Sequence, residues 1–297
     1  MPPAKVSGNF IIDTPTMEDT VQRNIRAKYI FKSVLFCVVF IGLLVIFSIA
    51  KGFIPNEFER LAYGIIGTLA AFLTTVLFLK FDKQKFSDIG LIFERKTIVK
   101  FFVGVVIGVV IMGLLAISVI YFTHLKIHIN PHSNFLHFLL ITFPLLPLAF
   151  MEELAFRAYP LQILKDKMGI RSSLIITSVL FALYHAVNGW TISSSFCGPA
   201  VWGLIYGLAA IYSKGIAMPT GIHYAANLTT SSLGEKNTTA SIWTVEQPNS
   251  ATAKYGGFDW GTILPSLALL VFAIICIEVY IRQKLPPRHI LRKQNGK

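Results

Sequence analysis

Eight runs of roughly 20 apolar residues recur along this chain, at 31–50, 60–81, 99–122, 136–158, 172–189, 199–213, 216–233 and 260–282. A helix of that length matches the hydrocarbon core of a bilayer, about 30 Å thick. The composition agrees: 54% of the 297 residues are hydrophobic and 14% are charged, against roughly 25% charged in an ordinary soluble domain, and mean hydropathy is +0.63. The expected fold class is therefore all-α, a polytopic membrane helix bundle of about eight transmembrane helices without a separate soluble domain. Its expected parts are an N-terminal arm (1–30), N-terminal spans (31–133), a core (134–235), a loop (236–259) and a last span with a basic tail (260–297).

Lysine and arginine set the expected orientation, because cytoplasmic loops carry an excess of them. Lys5, Arg23, Arg26 and Lys28 lie in the arm, Lys83, Lys85, Arg95 and Lys96 in the second connection, Lys165, Lys167 and Arg171 in the fourth, and Lys284, Arg288, Arg292, Lys293 and Lys297 in the tail. With eight spans all of these share one side, while the other side holds only Lys51, Lys126, Lys236 and Lys254. Both termini are expected in the cytoplasm. The net charge of +12 then reads as basic edges facing anionic lipid, with no nucleic-acid partner. The first 30 residues lack a short apolar run ending in a small-residue cleavage site, so no removable signal peptide is expected. Cys37, Cys197 and Cys276 are scattered, without disulfide or thiolate-metal spacing. "GVVIGVV" and "YGIIG" place glycines about a helical turn apart, as close helix packing requires.

Against this background the stretch "MEELAFRAYP", residues 151–160, needs a reason. A charged side chain in a span costs about 2.5–3.5 kcal/mol on insertion scales, so such groups face protein or a wet cavity. Glu153 and Arg157 are four apart, on one helix face and able to pair; Glu152 is rotated away by about 100°. One glutamate reads as neutralised and the other as available, although a purely structural buried ion pair would use the same residues. In "FALYHAVNG" His185 follows Phe181 by one turn, and in "GIHYAANL" His223 and Asn227 share a face. Three helices thus bring acid, imidazole and amide groups, the ingredients of a general base, a proton shuttle and oxyanion donors. Pro144, Pro147, Pro160 and Pro219 lie near these groups, and Pro160 is expected to close its helix.

"EELAFR" reads as EExxxR, "FALYH" as FxxxH and "HYAAN" as HxxxN, in the order found in the CAAX protease and bacteriocin-processing family, the CPBP or Abi intramembrane proteases. The chain resembles that family over about residues 134–235. The resemblance implies peptide-bond hydrolysis inside the membrane, on a peptide or protein substrate that reaches the site from the bilayer. By motif position, Glu152 would activate water with His185 beside it. His223 and Asn227 would hold the water or steady the oxyanion, and Glu153 with Arg157 would orient the site.

These residues by themselves require no cofactor. Zinc is the open alternative, held by Glu152, His185 and His223 with Glu153 as base; the absence of HExxH spacing points instead to metal-free glutamate chemistry. A transporter would also use embedded Glu, Arg and His, but matching halves with broken helices are not seen. A non-proteolytic scaffold or a bacteriocin-immunity-type protein on the same fold is the other alternative. The sequence carries no reading of oligomeric state.

Overall fold

The computed structural model describes residues 16–123, 125–234, 241–246, 254–255 and 258–284. The expectations for residues 1–15, for Lys236 and most of the last loop, and for the basic tail from 285 onward lie outside the described residues. Ten α-helices follow one another among them: α1 (Met17–Ser48), α2 (Glu59–Asp82), α3 (Arg95–Thr123), α4 (Phe135–Thr142), α5 (Leu145–Glu153), α6 (Tyr159–Val187), α7 (Ile192–Cys197), α8 (Pro199–Ser213), α9 (Ala217–Ser232) and α10 (Trp260–Lys284). Strand β1 (Lys126–Ile129) pairs antiparallel with β2 (Trp243–Glu246), and Lys254–Tyr255 with Phe258–Asp259.

The all-α bundle is as expected, and the individual spans differ in an informative way. Among the described residues six helical runs are long and apolar enough to cross a membrane: Met17–Phe53, Asn56–Asp82, Arg95–Phe122, Phe135–Val187, Ile192–Ser213 and Ile263–Lys284. The expected fourth and fifth spans lie in one continuous run of 53 residues. Straight, that run would be about 80 Å long, more than twice a hydrocarbon core. Gly169 breaks it, with φ 78° and ψ 175°, a conformation that glycine alone adopts freely. The expected seventh span corresponds to α9, which with 16 residues is not among the six runs. Pro160 does not close its helix. It follows a π-helical turn over Leu154–Ala158, and α6 continues beyond it. Proline offers no N–H to the carbonyl of Phe156 and its ring crowds that carbonyl; widening the turn to π spacing keeps the helix going.

Glu152 lies 17 residues before Gly169 and His185 lies 16 after it, so folding the run back on itself brings the two level. Aromatic contacts hold this hairpin: Phe156 packs against Phe181 at 5.2 Å and Tyr184 at 5.4 Å between ring centroids. At its tip Arg171 grips Glu278 of α10 with two nitrogens at 2.6 Å each.

The glycine patterns do what their spacing suggested. A Cβ on Gly104 would collide with the Met218 carbonyl, one on Gly108 would sit 2.7 Å from Ala225 Cβ, and one on Gly221 would strike the Phe101 carbonyl. Thus α3 and α9 run side by side in the same direction, nearly backbone to backbone. On α2, a Cβ at Gly64 would lie 3.1 Å from Pro147, and one at Gly67 would meet Met151, which seats α2 against α5. Two glycine faces therefore hold the two helices that carry Glu153 and His223. Large apolar side chains such as Phe102, Val106, Val110 and Leu114 of α3 point outward, as a lipid-embedded bundle allows and an aqueous surface would not.

Because β1 follows α3 and β2 follows α9, their pairing puts both segments on one side of the bundle. The chain between them then crosses an even number of times, a condition that four spans between residues 136 and 233 meet. Single cysteines at His128 and Thr244 should accordingly react with an impermeant maleimide from the same side of a sealed vesicle, and one at Lys165 from the other. Labelling of all three from one side would break this topology.

Candidate active site

Glu153 is fully buried, and its carboxylate faces two partners. Oε1 lies 2.8 Å from Nδ1 of His223, and Oε2 lies 3.4 Å from Nε of Arg157. The second contact is an ion pair without hydrogen-bond geometry, since none of the guanidinium nitrogens has a hydrogen-bond partner. Arg157, also fully buried, instead lies on aromatic faces, its Cζ 4.2 Å from the Phe181 ring centroid and 5.3 Å from that of Tyr206. A desolvated cation over an aromatic face gains about 2 kcal/mol, which offsets part of its burial.

Glu152, one position earlier, turns to a different set of groups. Its Oε2 is buried, has no hydrogen-bond partner, and lies 3.6 Å from Nε2 of His223 and 4.0 Å from Nε2 of His185. The three side chains are 14%, 9% and 15% exposed, so the cluster is nearly closed from its surroundings. Asn227, half-buried one turn after His223, lines with both histidines a cavity of about 180 Å³. The four residues expected to form a site are therefore brought together, Glu152 by its distances to the histidines and Asn227 through the shared cavity. The cluster lies deep in the bundle: Gly108, against which Ile222 and Ala225 pack, sits near the middle of the 29-residue α3.

Hydrogen bonding fixes the tautomers. Nδ1 of His185 lies 2.9 Å from the Phe181 carbonyl oxygen, which can only accept, so this nitrogen carries the proton. Nδ1 of His223 donates likewise to the Glu153 carboxylate. In the neutral rings both Nε2 atoms are then lone-pair acceptors, aimed at a carboxylate oxygen that is itself an acceptor. Three acceptors meet with no donor between them. Such a constellation is satisfied by a proton or by a donor molecule such as water, which can bridge groups separated by more than about 3.5 Å.

A metal ion is the other way to join acceptors. For zinc, ligand distances of about 2.0–2.2 Å in a tetrahedron put neighbouring donor atoms roughly 3.4 Å apart; the separations of 3.6 and 4.0 Å are wider. Among the described residues no group of three or more His, Cys, Asp or Glu is arranged to hold a metal ion. The donor set as it stands does not fit zinc.

Apart from Phe181 of the FxxxH motif, sequence reasoning did not find the aromatic walls. Tyr206 of α8 stacks on His223 at 4.6 Å and 14°, and Phe181 meets His185 edge-on at 4.6 Å. Trp190 and Trp202 line the cavity as well. An aromatic residue in an apolar helix looks the same whether it faces a site or a core, so "GLIYG" around Tyr206 gave no signal.

Removing either partner of the Glu153–Arg157 pair should destabilise the protein. Glu153→Gln or Arg157→Ala leaves an uncompensated buried charge, with an expected loss of about 3–5 kcal/mol, seen as a lower thermal midpoint in detergent; an unchanged midpoint would contradict the buried-pair reading. No curated protein matches the chain. Residues 132–229 match the family model described as type II CAAX prenyl endopeptidase Rce1-like, and this third of the chain, which contains the glutamate pair, both cavity histidines and Asn227, carries the CAAX-protease family signature.

Proposed function

We propose that the protein is an intramembrane endopeptidase in which Glu152 activates a water molecule for attack on a peptide bond. The convergence of the Glu152 carboxylate with two histidine lone pairs carries this reading. A water held there has two hydrogens to donate, and donating one to Glu152 turns its oxygen outward as a nucleophile.

The chemistry balances without a further reactant. As the water oxygen bonds to the scissile carbonyl carbon, its proton passes to Glu152. His223, held through Nδ1 by the Glu153 carboxylate, accepts the water's second hydrogen at Nε2 and so orients the attacking lone pair, while the Asn227 amide donates to the oxyanion. Collapse breaks the C–N bond, and the proton from Glu152 reaches the leaving amine by way of His185. Glu153 and Arg157 position His223 and do not touch substrate. Residues 134–235 act as the catalytic unit, with 31–133 and 260–282 as supporting spans. The substrate is a peptide or membrane-protein segment arriving from the bilayer, and both termini face the cytoplasm, which the cysteine labelling above also reads once Lys165 is placed.

The test is a peptide-library cleavage assay on the purified protein beside Glu152→Gln. That variant keeps shape and folding, removes proton acceptance, and should lower turnover by roughly 10²- to 10⁴-fold. Full activity in it would remove Glu152 from the mechanism. Elemental analysis of the active preparation should find metal well below one ion per chain, whereas stoichiometric zinc lost with His185→Ala and with His223→Ala would require a different chemistry.

A further inference from the structure

The π turn after the glutamates creates a register problem. Gaining or losing a single residue there would rotate the preceding helix by about 100°, which would carry Glu152 and Glu153 away from both histidines. Upstream, the turn is held by the Glu153 contacts to His223 and Arg157. Downstream, the first residue after it is Tyr159, fully buried. Its hydroxyl donates to Oδ2 of Asp82 at the C-terminal end of α2, at 2.6 Å. Asp82 is paired through its other oxygen with Lys32 of α1. The Tyr159 ring is stacked on Phe36 of α1 at 5.2 Å and meets Phe78 of α2 edge-on at 5.3 Å. Two helices, α1 and α2, thus grip one tyrosine of α6, by its ring and by its hydroxyl, at the position where the π turn ends.

We propose that Asp82 and Tyr159 are positioning residues of the active site, acting through the π turn: their hydrogen bond fixes the rotation of α6 relative to α1 and α2, and so the direction in which Glu152 and Glu153 point. A hydroxyl buried only to fill space would not need a carboxylate, and a carboxylate meant only to pair with Lys32 would not need a buried tyrosine. Neither residue reaches the reacting atoms.

The kinetic arm of the test rests on the endopeptidase reading and uses a quenched fluorogenic peptide chosen from the library assay, with the full chain in detergent. Tyr159→Phe keeps the ring and loses the hydroxyl; Asp82→Ala loses the acceptor. Each should lower kcat about tenfold with KM unchanged, the pattern of impaired chemistry with intact binding. The double variant should be no slower than the slower single one, because the two residues act as one unit. Asp82→Asn, whose amide oxygen still accepts from the hydroxyl, should recover most of the rate. A second arm does not depend on turnover: the ¹⁵N spectrum of His223 should report an Nδ1-protonated, hydrogen-bonded ring in the parent chain and a mixture of tautomers in Tyr159→Phe. Parental kcat in both single variants, or multiplied losses in the double, would overturn the proposal. If the parent chain cleaves no peptide the endopeptidase reading fails, and the spectrum alone decides: an unchanged His223 signal in Tyr159→Phe overturns the positioning role.

Discussion

A carboxylate closed away from solvent between a guanidinium and an imidazole sets the terms for everything around it. Glu153 finds partners inside the bundle on both oxygens: Arg157 lies against one and Nδ1 of His223 donates to the other. The same contacts fix the ring of His223 with its free nitrogen toward Glu152. The ion pair is costly to assemble where no water screens it, and the protein meets that cost with aromatic surfaces: Phe181 and Tyr206 face Arg157, and Tyr206 also stacks on His223. The identical residue type one position earlier is left with two histidines and no donor. Two adjacent glutamates therefore have different surroundings, one held by a guanidinium and an imidazole N–H, the other beside two imidazole nitrogens with no donor to its buried oxygen.

The close approach of helices makes that arrangement possible. α5 and α9 bring Glu153 and His223 within hydrogen-bond reach, and each is seated on a glycine face, α5 on Gly64 and Gly67 of α2, α9 on Gly104 and Gly108 of α3. In a bilayer there is no hydrophobic drive between helices, and small residues that admit backbone contact supply much of the association. The short ribbon of β1 and β2 joins the ends of the parallel pair α3 and α9. Helix packing and site geometry are thus one problem in this protein.

Much of this was legible in the residues. Apolar runs announce the bundle because bilayer thickness fixes helix length, and the cost of burying charge picks out Glu152, Glu153, Arg157, His185 and His223 among hundreds of apolar atoms. Four-residue spacing gave the Glu153–Arg157 pair and the shared face of His223 and Asn227. Other features were hidden for physical reasons. Pro160 reads as a stop because a proline removes a donor, yet a π turn absorbs the missing bond and the helix runs on. Gly169, the hinge of the hairpin, falls in the connection that Lys165, Lys167 and Arg171 mark, yet helix runs through that connection on both sides of the glycine, which the loop expectation did not show. Tyr206 was invisible because hydrophobic patterning cannot tell a site wall from a core.

The claim on which the rest turns is that Glu152, His185 and His223 converge on a water molecule. A high-resolution experimental map of the protein in lipid tests it most directly. The account predicts a water peak between Glu152 Oε2 and the two Nε2 atoms, about 2.6–3.2 Å from the carboxylate oxygen and from at least one of the nitrogens. A dry gap there, histidines turned toward lipid, or an anomalous-scattering peak at roughly 2.0–2.2 Å from all three groups would contradict it.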